Sequence, residues 1–168
     1  MTIELFIWSF AYSLFATVIG GGILAFLFFW LREKVSPLPV VTGRWYFEMH
    51  TVKTAYRPFE GMRLRYVAML LREGNRIAGT VEKIYENVSG GERWYEGKNR
   101  TRGIVEGFIE KRYFSKDRVT LHVVEAGHER ESTNFHDLVV ESNEQMRGRF
   151  TSTVADQDGG ATWQRREF

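Results

Sequence analysis

The sequence contains no cysteine, which excludes disulfide bonds and thiolate metal sites and fits a reducing compartment. It also lacks a strong excess of charge of one sign, since 23 basic residues stand against 21 acidic ones. A chain that neutralises many phosphates along a nucleic acid is usually far more basic. We therefore expect no DNA or RNA polymer as a partner.

Catalytic motifs are absent as well. The sequence holds no nucleophile elbow, no phosphate-binding glycine loop and no kinase motif. Its histidines form no spaced pairs with carboxylates, and each is expected to be a solvated or hydrogen-bonded strand residue. They are His50, His122, His128 and His136. The sequence thus predicts a protein that is not an enzyme and carries neither metal nor cofactor.

One long apolar run, from Leu5 to Leu31, contains no Asp, Glu, Lys, Arg or His. About 20 residues suffice for a helix to cross a hydrocarbon core of about 30 Å. A cleaved signal peptide begins with basic residues and ends in small ones, whereas this run follows Glu4 and ends in bulky residues. A buried core helix is disfavoured, because the remaining domain is too small to surround it. We predict a retained, single-pass transmembrane helix, with its flank, over residues 1–34.

The flanks of this run indicate its orientation. Arg32 and Lys34 follow the span directly, and no basic side chain precedes it. The positive-inside rule then places the C-terminal domain in the cytoplasm. The triple glycine at 20–22 lies near mid-span, where small residues either let helices associate in lipid or are simply tolerated.

After a short linker at 35–41, residues 42–168 have the pattern of one all-β domain. Strand signals recur along it and are separated by turn residues, with one longer loop at 88–99. The predicted strands are 44–52, 62–72, 76–87, 101–114, 118–126, 133–141, 145–155 and 161–167. About eight antiparallel strands with short connections favour an up-and-down barrel, with a two-sheet sandwich as the alternative.

Alternation along the strands predicts which side chains point inward. Trp45, Tyr66 and Trp163 are expected inside, together with Arg165. A buried charge there would need an internal carboxylate, a phosphate-bearing ligand or a strand register that exposes it. Inward glycines would let coiled strands bend and make room in a small barrel. They are Gly79, Gly103, Gly107 and Gly148.

The long loop adds a cluster of aromatic and arginine residues at one mouth of the predicted barrel. Trp94 and Tyr95 lie there, close in sequence to Arg93, Arg100 and Arg102. Aromatic faces stack on bases and guanidinium groups pair with phosphates, so the cluster suits a small nucleotide. The alternative is that the aromatic residues plug the barrel and the arginines are solvated. The predicted ligand-binding residues are Trp45, Tyr66, Arg102, Trp163 and Arg165.

Three short motifs carry a resemblance to known barrels. The segments Gly43-Arg44-Trp45, Gly103 to Gly107 and Gly148-Arg149-Phe150, with a closing Trp163-Gln164-Arg165, resemble avidin-like and lipocalin-like barrels. With the N-terminal membrane segment and short linker, the architecture is similar to the β-barrel transmembrane effectors of bacterial CBASS anti-phage systems. Members of that family have two membrane helices, whereas this sequence predicts one.

The resemblance implies a function for the whole chain. In that family the barrel is a cytoplasmic receptor for a cyclic dinucleotide, held at the bacterial inner membrane. Ligand binding drives homo-oligomerisation, and the membrane is disrupted in anti-phage defence. The alternatives are a membrane-tethered, lipocalin-like carrier or sensor of a small apolar ligand, and a barrel with a filled core that serves only for assembly.

Overall fold

The structure is a computed structural model that describes residues 3–35, 37–112, 115–126 and 131–168. The chain divides into two compact units, Met1–Pro37 and Leu38–Phe168. The first is a helix and the second is a closed sheet.

Helix α1 runs over Ile3–Val35. Its segment Ile7–Leu31 is long and apolar enough to cross a membrane, and none of that segment is buried against protein. A helix satisfies its own backbone hydrogen bonds, so an apolar helix of this length suits a bilayer better than water. One N-terminal helix that could span a membrane is therefore present, as the sequence predicts.

Nine strands follow in the second unit. They are β1 (Gly43–Lys53), β2 (Arg63–Glu73), β3 (Arg76–Val88), β4 (Gly91–Trp94), β5 (Arg102–Glu110), β6 (Arg118–Ala126), β7 (Glu131–Ser142), β8 (Gln145–Ser152) and β9 (Gln157–Gln164). All neighbouring strands pair antiparallel, and β1 pairs with both β2 and β9. The ring of eight strands closes through β2 and β3, while β4 is an extra strand on β3. The predicted eight-stranded up-and-down barrel is confirmed, and the sandwich is wrong.

Glycine at inward positions lets neighbouring strands approach closely. A Cβ atom on Gly107 would collide with the carbonyl oxygen of Thr120, and one on Gly148 with that of Asp137. Only glycine fits such a contact, so these positions can hold no other residue without a backbone shift. The same holds for Gly79 and Gly103, the other two predicted inward glycines, and for Gly159.

Two turns differ from the prediction. The long loop contains the short strand β4, and the last hairpin turns at residues 153–156 rather than 156–160. Ala155 and Asp156 adopt positive φ values of 55° and 48° there. Gly159 and Gly160, which lie in the predicted turn, belong to β9, where Gly159 packs against the carbonyl of His50. Strand β5 ends at Glu110, and residues 113–114 of its predicted extension lie outside the described residues.

The core fills the barrel from one end to its middle. Phe47 is the central side chain, stacked between Trp163 at 4.1 Å and Tyr66 at 4.6 Å between ring centroids. Parallel rings at these distances exclude water and bury a large apolar area. Beyond Tyr66 the inward residues become polar, and the opposite end of the barrel holds a cavity.

Candidate ligand-binding site

The cavity opens at the end of the barrel where β1, β3, β6 and β8 finish. It has a volume of about 540 Å³. Its lining combines apolar and hydrogen-bonding side chains: Met49, Phe59, Met62, Leu64, Tyr66, Lys83, Glu86, Glu125, Ser132, Asn134, Ser152, Val154 and Gln157. Pockets for small organic ligands usually measure about 300–1,000 Å³ and mix these two kinds of surface.

A buried carboxylate organises one wall of the cavity. The Glu125 side chain is only 5% exposed, and its Oε1 lies 3.0 Å from the Lys83 Nζ. The Tyr66 hydroxyl donates to its Oε2 at 2.8 Å. Burial, reinforced by the Glu125 charge, raises the pKa of Tyr66 well above its ordinary value, so the phenol stays protonated. The wall therefore presents a fixed network in which both carboxylate oxygens are partnered.

A β-bulge adds a second carboxylate to the same wall. The pairing of β2 with β3 shifts register where Arg65 and Tyr66 face Tyr85 and Lys83. Residues three apart on a regular strand face opposite sides, but the bulge lets Lys83 and Glu86 both line the cavity. Their Nζ and Oε2 atoms lie 3.6 Å apart. The described cavity wall thus carries one lysine against two carboxylates.

The opposite wall is built from uncharged polar groups. The Thr51 hydroxyl donates to Gln157 Oε1 at 2.9 Å, and Gln157 Nε2 donates to the Val154 carbonyl at 2.8 Å. Asn134 and Ser152, both buried, complete this wall. These groups can hydrogen-bond a polar ligand without contributing charge.

The floor of the cavity is a packed aromatic layer that includes a histidine. Trp163 Nε1 donates to His136 Nδ1 at 3.3 Å, and the imidazole meets the Phe47 ring edge-on at 5.4 Å. Burial lowers the pKa of His136 to about 3, so the ring is neutral. Its Nε2 has no hydrogen-bond partner among the described residues. Phe47, His136 and Trp163 are not among the residues that line the cavity, so the cavity ends above this layer.

Arg165 closes the far end of the barrel rather than pointing inside. Its guanidinium lies 4.0 Å from the centre of the Trp45 ring. It donates to the carbonyls of Arg44 at 3.0 Å and Val40 at 2.9 Å. The prediction of an inward charge is wrong, because Arg165 comes just after the last residue of β9 and folds across the barrel end. The guanidinium needs no ligand to be satisfied there.

The predicted ligand-binding residues are therefore not brought together. Tyr66 lines the cavity. Trp45 and Trp163 point inward as predicted, but both are fully buried in the core. Arg102 lies on the outer surface, with a side chain 77% exposed.

The predicted loop cluster does come together, outside the barrel wall. A cleft of about 750 Å³ lies beside β4. Its lining consists of Arg93, Trp94, Tyr95, Lys98, Asn99, Arg100, Thr101, Arg102 and Ala126. The carboxylate of Glu82 pairs with both Arg100 and Arg102, each at 3.2 Å. This outer cleft shares no lining residue with the cavity.

Sequence reasoning missed the charged cavity residues for two different reasons. Glu125 continues the inward series Val119, Leu121 and Val123, so strict alternation would have found it. Glu86 could not be found in this way, because the bulge reverses its expected face. Within the described residues, no cluster of His, Cys, Asp or Glu has the composition of a metal site.

Comparison with known proteins places the fold but not the function. No family model and no curated protein matches the chain. A redesigned β-barrel, mFAP0, solved bound to DFHBI, is 12% identical over 74% of this chain and 98% of its own, with a TM-score of 0.52. A fluorescence-activating β-barrel of de novo design is 17% identical over 74% of this chain and 93% of its own, with a TM-score of 0.47.

The fold thus defines a class: the chain is similar to small antiparallel β-barrels, here joined to an apolar N-terminal helix. At these identities the similarity concerns the fold alone.

Proposed function

We propose that the protein is a membrane-anchored, non-enzymatic receptor whose barrel binds a small ligand in the cavity at its open end. The observation that carries this proposal is the cavity itself, about 540 Å³ of space above a packed floor with polar groups fixed around it. A barrel that served only for assembly would have no reason to keep such a space or a partly buried charge network.

The ligand that we propose is a cyclic dinucleotide or a related cyclic oligonucleotide. This identity rests on the resemblance in architecture to the CBASS effectors: an apolar N-terminal span, a short linker and one small barrel. The cavity chemistry limits how such a ligand would bind. Asn134 and Gln157 can pair with the edges of a base, whereas Glu86 and Glu125 would repel phosphates. The bases would enter the cavity and the phosphates would stay at its mouth.

Signalling would follow from assembly of the chain in the bacterial inner membrane, with the barrel in the cytoplasm. A ligand shifts an equilibrium only if it binds one state better than the other, so it must favour the assembled form. Val67, Met69 and Leu71 form an outward row on β2 that suits contact between barrels. The triple glycine of α1 offers a close-packing face in lipid. Assembly through these surfaces would then disrupt the membrane.

A second candidate is a membrane-tethered carrier or sensor of an apolar ligand. Met49, Met62 and Leu64 give one part of the cavity an apolar surface. Lys83 already has a carboxylate partner, so an apolar ligand would not leave it unpaired. This function predicts binding of fatty acids and no response to nucleotides.

The test is thermal unfolding of the full chain in lipid nanodiscs with a panel of cyclic dinucleotides and of fatty acids. A ligand at 100 times its dissociation constant should stabilise the barrel by about 3 kcal/mol. Ser132→Trp should remove the shift by filling the cavity mouth. Thr133→Trp, its neighbour on the outer face, is the matched control and should keep the shift. Arg165→Met should keep it too, because that side chain lies at the opposite end.

The outcomes separate the candidates. A shift with one cyclic dinucleotide that is lost only in Ser132→Trp supports the receptor. A shift with fatty acids alone supports the carrier, and no shift with either probe rejects both. Assembly is tested separately, in continuous membranes rather than nanodiscs. Crosslinking of the chain with and without the active nucleotide then shows whether binding drives assembly.

A further inference from the structure

The outer cleft beside β4 concentrates positive charge. Four basic side chains line it, namely Arg93, Lys98, Arg100 and Arg102. Glu82 is the carboxylate that pairs with two of them, and Lys98 has no acidic partner among the described residues. Glu92 and Glu96, from the same segment, do not line the cleft. The cleft therefore keeps an excess of positive charge that an anion would neutralise.

Two of the four cations are held in place by their neighbours. Glu82 fixes two guanidinium groups with one carboxylate, and Arg100 Nε also donates to the Tyr95 carbonyl at 3.2 Å. The loop is tied to β3 by backbone bonds of Tyr95 and Thr101, at 3.0 Å and 2.9 Å. A site whose donors are already positioned loses less entropy when it binds a ligand.

The same cleft has an aromatic wall. Trp94 contacts Tyr85 with ring centroids 4.6 Å apart, yet the residue remains 59% exposed. The Tyr95 hydroxyl donates to Glu86 at 3.1 Å, which fixes the neighbouring ring. Burial, reinforced by Glu86, raises the pKa of Tyr95, so this hydroxyl remains a donor. An exposed indole beside arginines is a surface on which a planar ring can stack.

We infer that the outer cleft is a second binding site, which takes a ligand that combines phosphate with a planar ring, such as a nucleoside phosphate. The basic side chains bind the phosphate and Trp94 stacks on the ring. A soluble ligand fits better than a lipid headgroup, because the site is a concave cleft with an aromatic wall. This site goes beyond the proposed function, since it shares no lining residue with the cavity, to which the Tyr95–Glu86 hydrogen bond joins it.

The test is calorimetric titration of the full chain in phosphatidylcholine nanodiscs with ADP, inorganic pyrophosphate and adenosine. Arg93→Glu combined with Lys98→Glu should weaken the binding of ADP and of pyrophosphate by about tenfold or more, because two charge-assisted contacts are lost. Arg72→Glu combined with Arg76→Glu, at the other end of the barrel, makes the same change in net charge and should leave both affinities unchanged. Melting temperatures of both double variants check that the barrel still folds.

Two further variants locate the site. Trp94→Ala should weaken ADP binding by about tenfold and leave the affinity for pyrophosphate unchanged, because only the stacking contact with the ring is lost. Ser132→Trp, which fills the cavity mouth, should leave ADP binding unchanged and so separates this site from the receptor cavity. Loss of ADP binding in Ser132→Trp would overturn the inference. Equal ADP affinity in the two charge variants would overturn it as well, as would cleft-dependent binding to phosphatidylglycerol vesicles without binding of ADP.

Discussion

The two ends of the barrel interior follow the same alternation but differ in chemistry. At the closed end, Trp45, Trp163 and their neighbours leave no space, and the charge of Arg165 stays outside the core. At the open end, Glu125 and Asn134 occupy the equivalent inward positions around a cavity. Individual strands contribute inward residues to both ends. The same period-two alternation therefore builds a packed half, which stabilises the barrel, and a polar half, which lines the ligand cavity.

This difference indicates where the free energy of folding arises. Apolar burial contributes about 25 cal/mol for each Å² removed from water, and the stacked aromatic residues bury most area at the closed end. Polar groups at the open end gain little on folding, because they exchange hydrogen bonds with water for hydrogen bonds with protein. A ligand can replace that water without disturbing the packed half.

The largest expected effect is at the aromatic layer that separates the two ends. Trp163→Ala should lower the free energy of unfolding by about 3–5 kcal/mol, because it removes a fully buried ring that stacks on Phe47. Ser152→Ala, inside the barrel at the polar end, should cost about 1 kcal/mol or less. Chemical denaturation of both variants in the same detergent measures the difference. Equal losses would show that the two ends do not differ in stability.

The second-largest expected effect is a loss of stability at low pH, caused by His136 in the same aromatic layer. Burial lowers the pKa of His136 from 6.5 to about 3 in the folded barrel. Between these two values the unfolded chain binds the extra proton, so stability falls as the pH falls from 6.5 towards 3. The slope is about 1.4 kcal/mol per pH unit, or about 3 kcal/mol by pH 4.

His136→Gln should remove this slope, because its amide oxygen can still accept from Trp163 but does not titrate in this range. Denaturation midpoints at pH 7, 6, 5 and 4 measure it, with His122→Gln on the outer face as the matched substitution. If the wild type and His136→Gln lost stability in parallel, the buried histidine would not be the cause.

How far the sequence predicts this molecule depends on how regular each strand is. About eight strand signals with short connections predicted the barrel. Alternation predicted the three inward aromatic residues and the inward glycines, because both follow from the two-residue period of a strand. The same rule places Glu125 inside. The period fails at the two charged positions that matter for the site: the bulge in β3 turns Glu86 inward, and Arg165 lies beyond the last strand. A bulge depends on how two strands meet, so a single strand's pattern does not contain it.

The smallest of these effects is at the open end, at Glu125. Glu125→Ala leaves the Lys83 ammonium and the Tyr66 hydroxyl without their shared partner. We expect a loss of about 1–3 kcal/mol in the free energy of unfolding, at the low end of this range if water enters the cavity. Glu125→Gln should recover part of it, because the amide oxygen still accepts from Tyr66.

Glu106→Ala is the matched control, since this carboxylate lies on the outer face of the adjacent strand β5 and should change stability by about 0.5 kcal/mol or less. If Glu125→Ala were no more destabilising than Glu106→Ala, the open end would be a loosely solvated rim. A loss above about 4 kcal/mol would instead mean that the network stabilises the barrel as strongly as the aromatic layer does. Either result would contradict the division of the barrel into a packed half and a polar half. That division requires a loss in the free energy of unfolding that lies between these two limits.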